Sequence, residues 1–136
     1  MSGSLIKIAT ETASGNPTTM KVTGVDSTYD VYAVYFKNVV PSADQRLGVR
    51  VTKGTSIQSD STYNNARSGM PISGSLQDNE DVGDTKWLLG TAESTGDGAF
   101  GLFHLFNFNN SSEYSLITLE THMWASTPQL FGEAGG

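Results

Sequence analysis

The chain has 136 residues, no cysteine and a net charge of −6. This length suits one domain with a sizeable core, and the lack of cysteine excludes disulfides and thiolate metal sites. The eight basic residues are scattered along the chain instead of clustering. Because binding to a phosphate backbone needs clustered Lys and Arg, the sequence argues against a nucleic-acid partner.

The composition also argues against a membrane partner and against exposed helices. No apolar run approaches the roughly 20 residues that cross a bilayer, and residues 1–8 lack the apolar core of a signal peptide. Only 16% of the residues are charged, whereas Ser, Thr, Asn and Gly are plentiful. This balance favours short strands joined by polar turns.

Strand signals begin near the N-terminus. Residues 5–12 alternate weakly and predict a first strand, and residues 19–23 alternate clearly and predict a half-buried second strand. Between them, Gly15 and Pro17 predict a turn. Residues 31–40 are dense in β-branched and aromatic side chains, which is typical of a central strand that is covered on both faces.

The rest of the chain continues the pattern of short strands. Residues 47–52 predict a strand with one wet face. Residues 54–84 show no periodicity and predict a long loop, of a kind that is usually functional or holds irregular short strands. Further strands are predicted at 86–89, 100–106 and 114–124. About seven strands without a helical period predict an all-β fold, an antiparallel β-sandwich or a jelly roll.

We therefore expect a single β-sandwich domain over residues 1–128. Residues 129–136 are rich in glycine and predict a flexible C-terminal tail.

Two histidines are the first candidates for chemistry. His104 and His122 fall in adjacent predicted strands and could lie on one face, with Glu120 as the nearest acid. A catalytic triad would also need a nucleophile on a strained turn, and no elbow motif is present. The same set could chelate a metal, but half-buried side chains on a sheet are favoured. The sequence predicts no catalytic residue, no cofactor and no metal ligand.

Two further motifs match cofactor or metal patterns only in part. Residues 96–101 have the spacing of a dinucleotide fingerprint, but a strand-like segment follows them where that motif needs a helix, so a turn is favoured. An acidic run could supply oxygens to Ca²⁺ but lacks the spacing of an EF-hand, so a solvated loop is favoured; its members are Asp78, Glu80, Asp81 and Asp84.

Aromatic side chains are the candidates for binding. Tyr63, Trp87 and Trp124 could stack on sugar faces, the first two together with the 54–84 loop, although Trp in a small sandwich is more often a core or interface anchor. Apolar residues near the glycine-rich tail predict burial against a neighbouring subunit; they are Trp124, Pro128, Leu130 and Phe131.

Three segments resemble structural proteins of tailed phages, particularly marine and cyanobacterial ones. They are residues 9–14, 23–39 and 104–107. The second is the most specific, because many virion and tail-fibre proteins carry a similar TG(I/V)DSTYD-x-Y sequence before a hydrophobic strand. A Pro-x-x-Asp loop then follows, here from Pro41 to Asp44.

The resemblance implies a non-enzymatic virion module that is assembled in the host cytoplasm and forms a homo-oligomer, with a trimer favoured. The chain starts almost directly in a predicted strand, without a fibre shaft. This favours a capsid decoration (cement) protein that binds the major capsid protein or other virion proteins; the alternative is a tail-fibre or receptor- and glycan-binding module. Similar proteins generally continue with a closing strand, and none is predicted here after Trp124. We therefore expect closure by a neighbouring subunit through strand addition, or a shorter variant of the domain.

Overall fold

A computed structural model describes residues 4–71, 75–92, 94, 98–108, 110, 112–123 and 129–135. Within these ranges the chain contains β-strands and no helix. Every strand pairing is antiparallel, so the predicted all-β, antiparallel class is confirmed. The described residues form ten strands, where about seven were predicted: β1 (Val31–Val39), β2 (Gln45–Val49), β3 (Thr52–Lys53), β4 (Ser56–Ile57), β5 (Tyr63–Pro71), β6 (Gln77–Asp84), β7 (Trp87–Ala92), β8 (Ala99–Phe106), β9 (Leu116–Met123) and β10 (Gln129–Gly135).

Six strands form the main sheet, in the order β1-β8-β9-β10-β5-β6. Strands β2 and β7 form a separate ribbon, and β3 and β4 form a short hairpin. The ribbon lies against the main sheet, because β7 contacts β5, β9 and β10. A sandwich-like class fits this arrangement, although the second layer is only two strands wide.

The core lies between the ribbon and the main sheet. Strand β8 alternates strictly between buried and half-buried residues, and its buried positions face the same side as those of its neighbours β1 and β9. Burying each large apolar side chain contributes about 1.5–3 kcal/mol. The core cluster consists of Tyr32, Tyr63, Trp87, Leu89, Ala92, Ala99, Phe103, Leu105, Ile117 and Leu119.

Gly101 lets an aromatic ring of β1 settle onto the centre of the sheet. A Cβ at this position would lie 2.5 Å from the ring of Phe36 and 2.8 Å from the carbonyl oxygen of Glu120. Such distances are shorter than van der Waals contact, so no side chain fits here without displacing the ring or the next strand.

The two strands predicted near the N-terminus are wrong, because residues 4–30 contain no strand. Alternation gives a segment one apolar face, but a strand also needs a partner for its backbone groups. The strand predicted over residues 31–40 is present, but the prediction that it is central and covered on both faces is wrong. Strand β1 stands at one edge of the main sheet, and its outward side chains are exposed.

The loop predicted over residues 54–84 is instead built mostly of strands, namely β4, β5 and β6. Several inward positions of β5 are polar or lack a side chain, such as Asn65 and Gly69, which are both buried. An alternation of apolar residues is therefore missing although the backbone is fully extended.

The flexible tail predicted over residues 129–136 is also wrong, since Gln129–Gly135 form β10 between β9 and β5. Glycine-rich composition suggests mobility, but a strand that is paired on both sides is held by its backbone. The sheet therefore extends past residue 128, and the strand expected from a neighbouring subunit at this place is supplied by the chain itself.

Candidate interaction surface

The two aromatic candidates for ligand binding in the 54–84 hypothesis lie in the core. Tyr63 and Trp87 are each only 5% exposed, and their rings meet edge to face with centroids 4.8 Å apart. The Tyr63 hydroxyl donates to the carbonyl of Gln58 at 2.9 Å and accepts from the amide of Val51 at 3.2 Å. These rings therefore fasten the β3–β4 hairpin to the core, and they offer no open face on which a sugar could stack.

The predicted interface residues near the C-terminus fall in two groups. Trp124 and Pro128 lie outside the described residues. Leu130 and Phe131 belong to β10, whose backbone is paired with β9 on one side and β5 on the other. Strand β10 therefore offers no free edge to a neighbour, and the burial of these four side chains against another subunit stays a prediction.

The two histidines lie on one face of the main sheet, as expected, but far apart. His104 is opposite Thr118, and His122 is opposite Phe100. Phe100 and His104 are four positions apart along β8, which corresponds to about 13 Å. One metal ion or one reacting group cannot contact both rings. Among the described residues there is no group of three or more His, Cys, Asp or Glu that could hold a metal.

The acidic run lies on and beside β6, with its carboxylates dispersed. Asp81 pairs with Arg67 of β5, with Nη2 and Oδ2 2.6 Å apart. Asp84 accepts a hydrogen bond of 2.6 Å from the Thr85 amide. Asp78 and Glu80 are exposed and, by the two-residue period of a strand, face the side opposite to Asp81. The run therefore places negative charge along the edge strand of the sheet.

The feature that the sequence did not predict is an extended N-terminal arm, formed by residues 4–24. It has no strand or helix, and nearly all of it is exposed. Ile8 touches Gly24, where a Cβ would lie 2.6 Å from Cγ2 of Ile8, so the arm folds back on itself near its root. Its exposed large apolar residues are Leu5, Ile6, Ile8, Met20 and Val22.

A hydrogen-bonded turn joins the arm to the core. The Tyr32 hydroxyl lies 2.8 Å from both the carbonyl oxygen and Oδ1 of Asp26, and it accepts from the Asp26 amide at 3.1 Å. Oδ1 also accepts from the Thr28 amide at 2.8 Å. Hydrogen bonds from Thr28, with a smaller effect of Tyr32, hold the pKa of Asp26 below its ordinary value. Because Tyr32 is a core residue, the root of the arm is fixed to the body.

The arm is attached next to the free edge of the main sheet. Strand β1 pairs with β8 alone within the described chain. Tyr35, in the middle of β1, is 66% exposed, and Val31 is also exposed. A free strand edge with apolar side chains can pair with another polypeptide. The arm and this edge are the two parts of the described surface that are best suited to contact a partner.

The sequence analysis did not find this surface, because it predicted paired strands over residues 5–12 and 19–23 and a central strand over residues 31–40. One signal was available for the root: an Asp followed two residues later by Thr is typical of a turn in which the carboxylate accepts a backbone amide. No local motif of this kind shows whether the arm or the outer edge of β1 pairs with another strand.

No helix in the described part of the chain is long and apolar enough to cross a membrane. No protein-family model, curated protein or solved structure matches the chain. Its relationships and function are therefore inferred from its own residues and their geometry.

Proposed function

We propose that this chain is a non-enzymatic structural protein of a phage virion, and specifically a decoration protein on the capsid exterior. Its partners are then the major capsid protein and further copies of itself. The observation that carries this proposal is the exposed apolar arm, rooted in the core beside a free strand edge. Such a surface is suited to assembly, because a large polypeptide partner can cover both elements at once.

The phage-like segment 23–39 supports the proposal because it coincides with this surface. It comprises the root of the arm and the whole of β1. Asp26, Thr28 and Tyr32 are part of the resemblance, and the hydrogen bonds between them give a physical reason for these residue types at this spacing. The resemblance therefore concerns the part of the molecule that is best suited to contact a partner.

The distribution of polar groups favours assembly over catalysis. His104 and His122 are separated by about 13 Å along the sheet, and the acidic side chains of β6 do not converge. The glycan-binding alternative loses the residues on which it depended, because Tyr63 and Trp87 are buried. A tail-fibre module remains the competing structural role.

A decoration protein has many weak contacts that act together. Specific interfaces bury about 1,600 Å² in total, and symmetric attachment of several linked sites raises the avidity beyond that of one contact. The predicted location is therefore the outer surface of the shell, at a copy number proportional to that of the major capsid protein.

Quantitative gel analysis and antibody labelling of purified virions test the role. We expect many copies per particle and labelling over the whole head. A handful of copies, or labelling confined to the tail, would contradict the decoration role and favour the fibre alternative. Absence from the particle would reject both virion roles.

A further inference from the structure

We propose that the arm of one copy adds as a β-strand to the free edge of β1 in a neighbouring copy, and that this exchange builds a closed homo-oligomer. The strand that pairs comprises residues 19–23 of the arm. The proposal concerns how copies recognise one another and goes beyond the virion role, so either can fail without the other.

The two edge strands of the main sheet, β1 and β6, differ in the number of charged residues that would face an added strand. Strand β6 carries Asp78 and Glu80 on its exposed side, in addition to Asp81 and Asp84. Charges on an edge strand discourage pairing with another chain. Strand β1 has only Lys37 as a charged residue and exposes Tyr35 at its centre. Of the two edges, β1 is therefore the one that is open to strand addition.

The arm has the residue pattern of an edge strand that lacks its sheet. Met20 and Val22 alternate with Thr19, Lys21 and Thr23, a half-polar pattern that suits a strand with one covered face. Within the described chain, no backbone hydrogen bond outside the strands involves residues 4–24. Pairing with β1 would satisfy the backbone groups of both segments and cover Met20 and Val22.

A second copy is the occupant that these features favour. The same chain supplies both the unpaired strand and the open edge, so a symmetric exchange leaves neither exposed. Lys7, Glu11 and Lys21 give the arm a net charge of +1 in a chain whose total is −6, so the negative body of a neighbouring copy attracts the arm at long range. At the proposed contact itself the charged residues are Lys21 and Lys37, and the pairing there depends on backbone hydrogen bonds and apolar side chains.

The root of the arm favours exchange over folding back onto its own β1. The hydrogen bonds between Asp26, Thr28 and Tyr32 fix the turn that precedes β1. Beyond this turn the arm folds back on itself, where Ile8 meets Gly24, and Leu5 is 98% exposed. In this conformation residues 19–23 do not pair with the β1 edge of their own chain, which stays open to another copy.

Disulfide cross-linking between separately substituted proteins tests the contact directly, because the natural chain has no cysteine. One protein carries Met20→Cys or Val22→Cys in the arm, and the other, of a different tagged size, carries Tyr35→Cys. A disulfide needs Cα atoms within about 7 Å. We expect the mixed dimer to form roughly tenfold or more faster than with the control Val82→Cys on β6, since association raises the effective concentration.

Two results would overturn the exchange. Equal cross-linking to Val82→Cys would show collision without a specific edge. A chain that carries both Val22→Cys and Tyr35→Cys and closes its own disulfide at high dilution would show that the arm pairs with its own β1.

The oligomeric state gives a second, independent measurement. Light scattering after size-exclusion chromatography is expected to show an oligomer for the natural chain and a monomer for Tyr35→Lys, which places a charge on the open edge. Val82→Lys is the matched control, because Val82 is 81% exposed on the opposite edge strand. Its oligomer should persist. Circular dichroism checks that both variants are folded, and a natural chain that stays monomeric at all concentrations rejects the proposal.

Discussion

The residue types of Tyr63 and Trp87 do not by themselves show whether the rings belong to the core or to a binding site. Both are amphipathic aromatics that can serve a core or a binding site. Here the Trp87 ring is held between Tyr63 and Phe108, with centroid distances of 4.8 and 5.8 Å. The Tyr63 hydroxyl bonds two backbone groups of the neighbouring hairpin segment. Their surroundings, which come from distant parts of the chain, make them structural.

Replacement of either ring should therefore cost stability. We expect Trp87→Ala to lower the free energy of unfolding by about 3–5 kcal/mol, because it leaves a cavity in the core. Tyr63→Phe should lower it by about 1–3 kcal/mol, because it leaves the Val51 amide and the Gln58 carbonyl without the hydroxyl. Urea denaturation followed by fluorescence measures both. A Trp87→Ala protein that kept its unfolding midpoint but lost binding to a glycan would contradict the core assignment.

Among the elements, the turn before β1 connects a short sequence motif to the position of the whole arm. Asp26 organises the turn by accepting the Thr28 amide and meeting the buried Tyr32 hydroxyl. A carboxylate accepts these hydrogen bonds better than a protonated acid does. The lowered pKa of Asp26 therefore links the protonation of one side chain to the rigidity of the root.

The turn should weaken in acid. Because the pKa of Asp26 is lowered by folding, its contribution to stability is present above the ordinary value of 3.8 and is lost as the pH falls below it. We expect Asp26→Asn to be less stable than the natural chain at neutral pH, and the difference to shrink below pH 3.8. Thermal melts at the two pH values measure this. A difference that is unchanged between them would show that the charge of Asp26 has no part in the turn.

For the molecule as a whole, the decisive element is the last strand. Strand β10 joins the half-sheet β1-β8-β9 to the pair β5-β6. Without it these two parts would have no strand between them. At the opposite end of the chain, the arm contributes exposed apolar surface and no pairing to the described sheet. The two terminal segments thus have opposite roles in the stability of the fold.

Hydrogen exchange should reveal this contrast. We expect the amides of β10 that bond to β9 and β5 to be strongly protected, and the amides of residues 4–24 to exchange nearly as fast as in an unfolded chain when the protein is monomeric. Tyr35→Lys, the variant designed to be monomeric, is the suitable sample. Fast exchange throughout 129–135 would instead restore the flexible tail that the composition suggested.

The fold class could be predicted from the sequence more reliably than the individual strands. The all-β class follows from dense β-branched and aromatic residues, frequent turn residues and the lack of a helical period. Segments with a strong apolar pattern, such as β1 and β8, were predicted close to their observed bounds. Weak patterns failed in both directions: residues 5–12 look strand-like and are unpaired, whereas β5 and β10 look irregular and are paired.

The sequence by itself determined the all-β class and the bounds of the strongly patterned strands β1 and β8, since these depend on local preferences and on the apolar pattern. Only the tertiary structure decided which strands stand at the edges, that Tyr63 and Trp87 are buried, and that the histidines are far apart. These properties depend on pairings between segments that are distant along the chain. The candidate interaction surface belongs to this second group, because an exposed arm and an open edge are defined by the contacts that the rest of the chain does not make.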